Sequence, residues 1–145
     1  MRGCAVPQRA RRRGVLALVA SLAARPARAL STARSYRIGI LNEALAANHP
    51  AVAGLKAGLR ELGLAEGRDI AFENRFTQGD PLAARDGAVA FAKAGVDLIF
   101  TSNEEPTRQA MAASTSIPIV FTLVGDPVAA GIVGRLAAPA GNATG

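Results

Sequence analysis

Few side chains in this 145-residue chain are able to do chemistry, and their spacing does not assemble a reaction centre. His49 is the only histidine and Cys4 the only cysteine, so no zinc set of the usual kind is available. Ser102 stands outside any Gly-x-Ser-x-Gly elbow and has no second histidine to activate it. Glu104 and Glu105 are adjacent, so their side chains diverge and make a poor acid–base pair. No Gly-x-x-x-x-Gly-Lys-Ser/Thr segment occurs, and Leu41-Asn42-Glu43-Ala44 lacks the glycines that a dinucleotide pyrophosphate requires. The sequence therefore predicts no enzyme, no cofactor and no metal. What remains is hydrogen-bonding chemistry, carried by four polar clusters: Asn42-Glu43, Thr77-Gln78-Gly79-Asp80, Ser102-Asn103-Glu104-Glu105 and Gly125-Asp126.

Each cluster follows a run that reads as a β-strand. Strand ends are expected at Leu41, Phe76, Thr101 and Val124, after Tyr36–Leu41, Asp69–Phe76, Asp97–Thr101 and the apolar run Ile117–Val124. Helices are expected between and after them. The first runs from Pro50 to Leu62, with Val52, Leu55, Leu59 and Leu62 on one face, proline at its first position and Gly63 at its C-cap. His49 is expected to act locally at that helix start. Asp80-Pro81 caps a second helix ending near Gly95, and Pro106 opens a third reaching about Ser114. Asp126-Pro127 repeats the cap, with Val128, Ile132 and Leu136 as the stripe of a fourth helix. Four strands alternating with four helices predict an α/β, doubly wound, Rossmann-like parallel sheet. Ligands on such sheets collect at the carboxyl ends of the strands, where all four clusters fall. Singly each cluster reads as a cap or a turn; as a set they read equally well as a binding face.

The charge distribution narrows the partner. Seven of the 17 basic residues and none of the 11 acidic ones lie in the first 29 positions, leaving ten basic against eleven acidic from Leu30 onward. The body is almost neutral, which removes the support for nucleic acid as a partner. Residues 1–13 form a basic segment ending in Arg11-Arg12-Arg13. The uncharged run Gly14–Ala24 would span about 16 Å as a helix, roughly half a bilayer core. Ala27-Arg28-Ala29 is a small-x-small cleavage signal. Together they predict a secretory signal peptide over residues 1–29, cleaved near Ala29, then a flexible mature N-terminus over 30–35 and a domain over 36–145. Cys4 precedes the apolar run, so the mature chain would carry no thiol.

Several segments, taken in order, resemble the periplasmic substrate-binding proteins of an ABC-transporter family, the tryptophan/tyrosine-type uptake group with a type I periplasmic-binding-protein fold. They are Arg37-Ile38-Gly39-Ile40-Leu41, His49-Pro50, Gly58-Leu59-Arg60-Glu61-Leu62-Gly63 with Glu66-Gly67-Arg68-Asp69-Ile70, and Gln78-Gly79-Asp80-Pro81. Val96-Asp97-Leu98-Ile99, Ser116–Phe121, Val124–Val128 with Gly131, and Gly141–Gly145 complete the set. The resemblance implies that residues 36–145 are an N-terminal substrate-binding lobe, with the second lobe absent. It further implies an extracytoplasmic, periplasmic role: binding an amino acid or similar small solute and handing it to a permease in the inner membrane. By analogy with two-lobed relatives, Asn42, Ser102, Asn103, Asp126 and Thr144 line the cleft face; the first four also sit at or after expected strand ends, whereas Thr144 rests on the resemblance alone. Glu104-Glu105 occupies places where family members often carry Gly-Thr or Gly-Ser. Helix N-termini attract anions, and two fixed carboxylates there oppose a ligand carboxylate. An alternative on the same fold is a small-molecule-sensing effector domain of a regulator.

Overall fold

The computed structural model describes residues 35–43, 49–137 and 141–145. The expected signal segment, its cleavage position and Cys4 lie outside the described residues. The hydrophobic run Tyr36–Asn42 forms β1, followed by α1 (Pro50–Glu61), β2 (Ile70–Phe76), α2 (Pro81–Ala94), β3 (Leu98–Ser102), α3 (Glu104–Ala113), β4 (Ile119–Thr122) and β5 (Ala143–Thr144). All strand pairings are parallel, in the order β2-β1-β3-β4-β5. Such an order requires crossovers, and the helices supply them.

Local chemistry explains where the helices begin and end. His49 Nδ1 accepts the Ala51 N–H at 3.3 Å and Pro50 opens α1, the local role expected of that histidine. Asp80 Oδ1 accepts the Leu82 N–H at 2.8 Å ahead of Pro81 in α2. Both helices stop at a left-handed glycine, Gly63 and Gly95. In each case the following residue bonds back five positions, Leu64 to Leu59 and Val96 to Phe91, as in a Schellman motif.

The fourth predicted helix is corrected. Asp126 does cap, accepting the N–H groups of Val128 and Ala129 at 3.1 and 2.9 Å. Gly131 then takes φ 68°, with Gly131 N–H to the Val128 carbonyl and Ile132 N–H to the Pro127 carbonyl. This is the same stop signal as in α1 and α2, placed after one turn. The expected stripe does not exist: Ile132 is buried, while Val128 and Leu136 are exposed. The short β5 was not predicted. It forms because Asn142 ties it to the α3–β4 connection, its Nδ2 donating to the carbonyls of Ser114 and Ile117 at 2.9 and 2.7 Å. The fourth strand also ends two residues early, at Thr122 rather than Val124.

Alternation along the strands divides the core. Leu41, Ile99, Ile119 and Phe121 pack with Phe91, Ala110 and Ile132, while Ile38, Ile40, Ile70 and Phe100 pack with Val52 of α1. The contact of α2 with β1 is close. A Cβ on Gly39 would lie 2.8 Å from the Phe91 ring, and one on Gly87 would lie 2.7 Å from Leu41 Cδ1. Both glycines are needed for that approach, which sets how β1 emerges at its carboxyl end.

Candidate functional site

In a sheet of this order the chain leaves β1 toward β2, then returns past β1 to build β3. The carboxyl ends of β1 and β3 are therefore the point where the strand order reverses, the usual ligand position on such sheets. Pairing of Leu41 with Thr101 brings Asn42 and Ser102 side by side there. The Ser102 hydroxyl donates to Asn42 Oδ1 at 2.8 Å, and both residues are 1% exposed. They knit the two strand ends together and present almost no surface.

Asn103 and Glu43 form the next layer outward. Asn103 Nδ2 donates to Glu43 Oε2 at 2.6 Å, between the two strand ends. The Asn103 backbone sits at φ 73°, ψ 171°, a region in practice reserved for glycine, at a cost of about 1–3 kcal/mol. Neighbours hold it there. Its N–H donates to the Thr122 carbonyl at 3.0 Å, and its carbonyl accepts the Thr107 hydroxyl at 2.7 Å. Because the Thr107 proton is committed to that carbonyl, the Thr101 hydroxyl must donate to Thr107 Oγ1, 2.7 Å away. The result is a buried relay from β3 through α3 back to the strand end.

The first turn of α3 carries Glu104 and Glu105. Arg108 Nε donates to Glu104 Oε1 at 2.9 Å, an i,i+4 ion pair, and Gln109 donates to Glu105 Oε1 at 2.7 Å. Thr77, at the end of β2, donates its N–H to the Asn42 carbonyl at 2.9 Å. Its hydroxyl is buried and has no hydrogen-bond partner among the described residues.

Of the five predicted site residues, Asn42, Ser102 and Asn103 are brought together. Asp126 spends its carboxylate on capping its own turn. Thr144 pairs with Val120, whereas Ser102 pairs with Thr122. It is therefore exposed two residues back from the strand end, about 7 Å at strand rise. Sequence reasoning named Glu43 and Thr101 only as parts of a strand end, and missed Thr107 altogether. One signal was present: asparagine is among the few residues that tolerate positive φ, and a threonine four positions later can reach its carbonyl. Two concavities lie at the other end of the strands. A seam of about 360 Å³ runs along Tyr36, Ile38, Leu64, Ile70, Asp97 and Leu98, and a neighbouring hollow of about 330 Å³ adds Lys56, Arg60 and Glu66. The seam is mostly apolar, and in the hollow Lys56 and Glu66 are paired with each other, so the strand ends, where polar side chains converge, are the stronger candidate.

Comparison with known proteins bears on this arrangement. A family model described as ABC transporter substrate binding protein matches residues 43–145. A tyrosine-binding protein of Clostridioides difficile (strain R20291) is 33% identical over 101 residues, 67% of this chain and 29% of that protein. The ligand-free, open structure of a substrate-binding protein with adhesive properties from Clostridium difficile superimposes with a TM-score of 0.68 at 33% identity, over 74% of this chain and 37% of that one. An ABC domain from Streptococcus pneumonia, solved in complex with L-Trp, gives a TM-score of 0.66 at 26% identity, over 77% of this chain and 38% of that one. The chain thus spans well under half the length of each of these relatives.

Proposed function

The chain belongs to the ABC transporter substrate-binding protein family, and from that membership we propose that it works outside the cytoplasm as the N-terminal lobe of a two-lobed receptor for a small solute, an amino acid or a close analogue. In this reading the basic, apolar and small-x-small N-terminal features direct export with cleavage near Ala29. A second lobe covers the strand ends, and the loaded receptor delivers its solute to a permease in the inner membrane. The observation that carries the reading is the meeting of Asn42, Glu43, Ser102 and Asn103 at the carboxyl ends of β1 and β3 through two side-chain hydrogen bonds. Its supports are the rule that ligands bind at such switch points and relatives named for tyrosine binding and for an L-Trp complex. Binding without turnover is also what the side-chain inventory allows: a polar rim without a nucleophile–base pair.

One lobe supplies one wall. A micromolar complex is worth about −8 kcal/mol, and half of its contacts would leave about −4, or millimolar affinity. Titrating the chain with the twenty amino acids, followed by NMR, should shift the strand-end resonances saturably at millimolar and not at micromolar concentration. Silence across the whole panel would sink the reading. N-terminal sequencing of exported protein should begin close to Leu30.

A further inference from the structure

Resting on that reading, we propose that Glu43 is the acceptor for an ammonium group of the solute and that Asn103 is the positioning residue which aims it. Glu43 is a half-buried carboxylate just past the carboxyl end of β1. Its one hydrogen-bond partner among the described residues is Asn103 Nδ2, which occupies Oε2 and brings no charge. An ionised carboxylate accepts on both oxygens, and among the described residues Oε1 has no donor. Among the described residues no cation is paired with it either. Arg108 is committed to Glu104, and Arg75 lies over the Phe91 ring, 5.6 Å from its centroid.

The support for Glu43 is unusually costly. Asn103 reaches it only from a backbone conformation suited to glycine, held by Thr122 and by the Thr107 hydroxyl. A glycine at 103 would relieve the backbone and abandon the carboxylate; asparagine keeps the carboxylate aimed. A positioned, partly desolvated carboxylate with one free oxygen fits a charge-assisted N–H donor. It does not fit the carboxylate end of an amino acid, a like charge.

Three probes separate the two ends of a solute: L-tryptophan, tryptamine (no carboxylate) and N-acetyl-L-tryptophan (no ammonium). In an NMR titration of the chain, tryptamine should bind comparably to L-tryptophan. N-acetyl-L-tryptophan should bind about tenfold more weakly, the loss expected for one hydrogen bond to a charged group. Glu43→Gln, which still accepts from Asn103, should erase that tenfold preference. Asn103→Gly should leave thermal stability unchanged or raised while cutting the preference severalfold, a split that a purely structural asparagine would not produce. Equal binding of the acetylated probe, or an undiminished preference in Glu43→Gln, overturns the assignment while leaving solute binding intact. No response to any of the three also overturns it; the solute-binding reading falls only if all twenty amino acids are silent as well.

Discussion

The two ends of the same parallel sheet solve the same geometric problem in different ways. At the amino ends of the strands, the left-handed backbone positions are glycines: Gly63 and Gly67 before β2, and Gly95 before β3. At the carboxyl ends Gly79 after β2 and Gly131 after β4 do the same, but three more such positions are held by residues with side chains: Gln78 after β2, Asn103 after β3 and Leu123 after β4. A left-handed residue with a Cβ costs about 1–2 kcal/mol, so one end is relaxed and the other strained. Buried polarity divides the same way. The Asn42–Ser102 bond, the Thr101–Thr107–Asn103 relay and the unpartnered Thr77 hydroxyl all lie at the carboxyl end. The amino end holds the apolar seam, with Lys56 paired to Glu66 at 3.0 Å on the flank beside it. Strain and buried polar groups persist only where surrounding structure enforces them, which marks the carboxyl end as built for something other than stability.

Five substitutions break or sharpen that contrast. The largest effect should come from the core that both ends share. Phe121→Asp places an unpaired charge at a 6% exposed site and should cost several kcal/mol, on the order of 3–5; loss of a cooperative melting transition is the readout. Thr107→Val removes the proton that the Asn103 carbonyl accepts and strands the Thr101 hydroxyl. It should cost about 1–3 kcal/mol in denaturant unfolding, and the first amides to lose hydrogen-exchange protection should be those of Asn103 and the start of α3.

Next comes a paired test of the glycine asymmetry. Gly95→Ala should destabilise by about 1–2 kcal/mol, whereas Leu123→Gly, at a 60% exposed leucine with φ 59°, should be neutral or stabilising by up to about 1 kcal/mol. Equal signs for the two would dissolve the distinction between the ends. The smallest effect concerns acid. The Asp69 carboxyl is held below its ordinary range, first by the hydrogen bond from Arg68 and then by the Ala65 N–H. A depressed carboxyl contributes stability that is present above its unfolded value near 3.9 and lost as pH falls through the folded value. Asp69→Asn should therefore flatten only the acid limb of a melting-temperature profile, slightly, because Arg68 is largely solvent-exposed.

Gly131 shows how far a sequence can be read for this fold. Gly63 and Gly95 were legible as helix stops because long periodic runs precede them. Gly131 carries the same backbone bonds, but it lies only four positions after Pro127. The alternative of a helix running on through Ile132 to Leu136 fitted the spacing equally well. Spacing alone cannot say which apolar residues find a core: Ile132 does and Leu136, 72% exposed, does not. β5 was illegible for a related reason, since two residues carry no period and its pairing depends on Asn142 reaching Ser114 and Ile117, 28 and 25 positions away.

What this sequence determined by itself is everything set by local backbone preference and periodicity: three helices, with the caps of the first two (the third begins at Glu104, two residues before the expected Pro106), the four longer strands, their parallel winding, and the polar character of the strand ends. Those features are encoded within a few residues of where they act. What only the tertiary structure decided is which polar groups meet. Ser102 with Asn42, and Asn103 with Glu43, are each 60 positions apart, and their contact follows from β3 lying beside β1 rather than beside β2. Burial made the same selection: Asn42 and Ser102 were enclosed, Thr144 fell back from the strand ends, and Glu43 was left with one oxygen that no described residue bonds. Side-chain partners across a crossover are chosen by strand order and register, and neither is written in the spacing of any one segment.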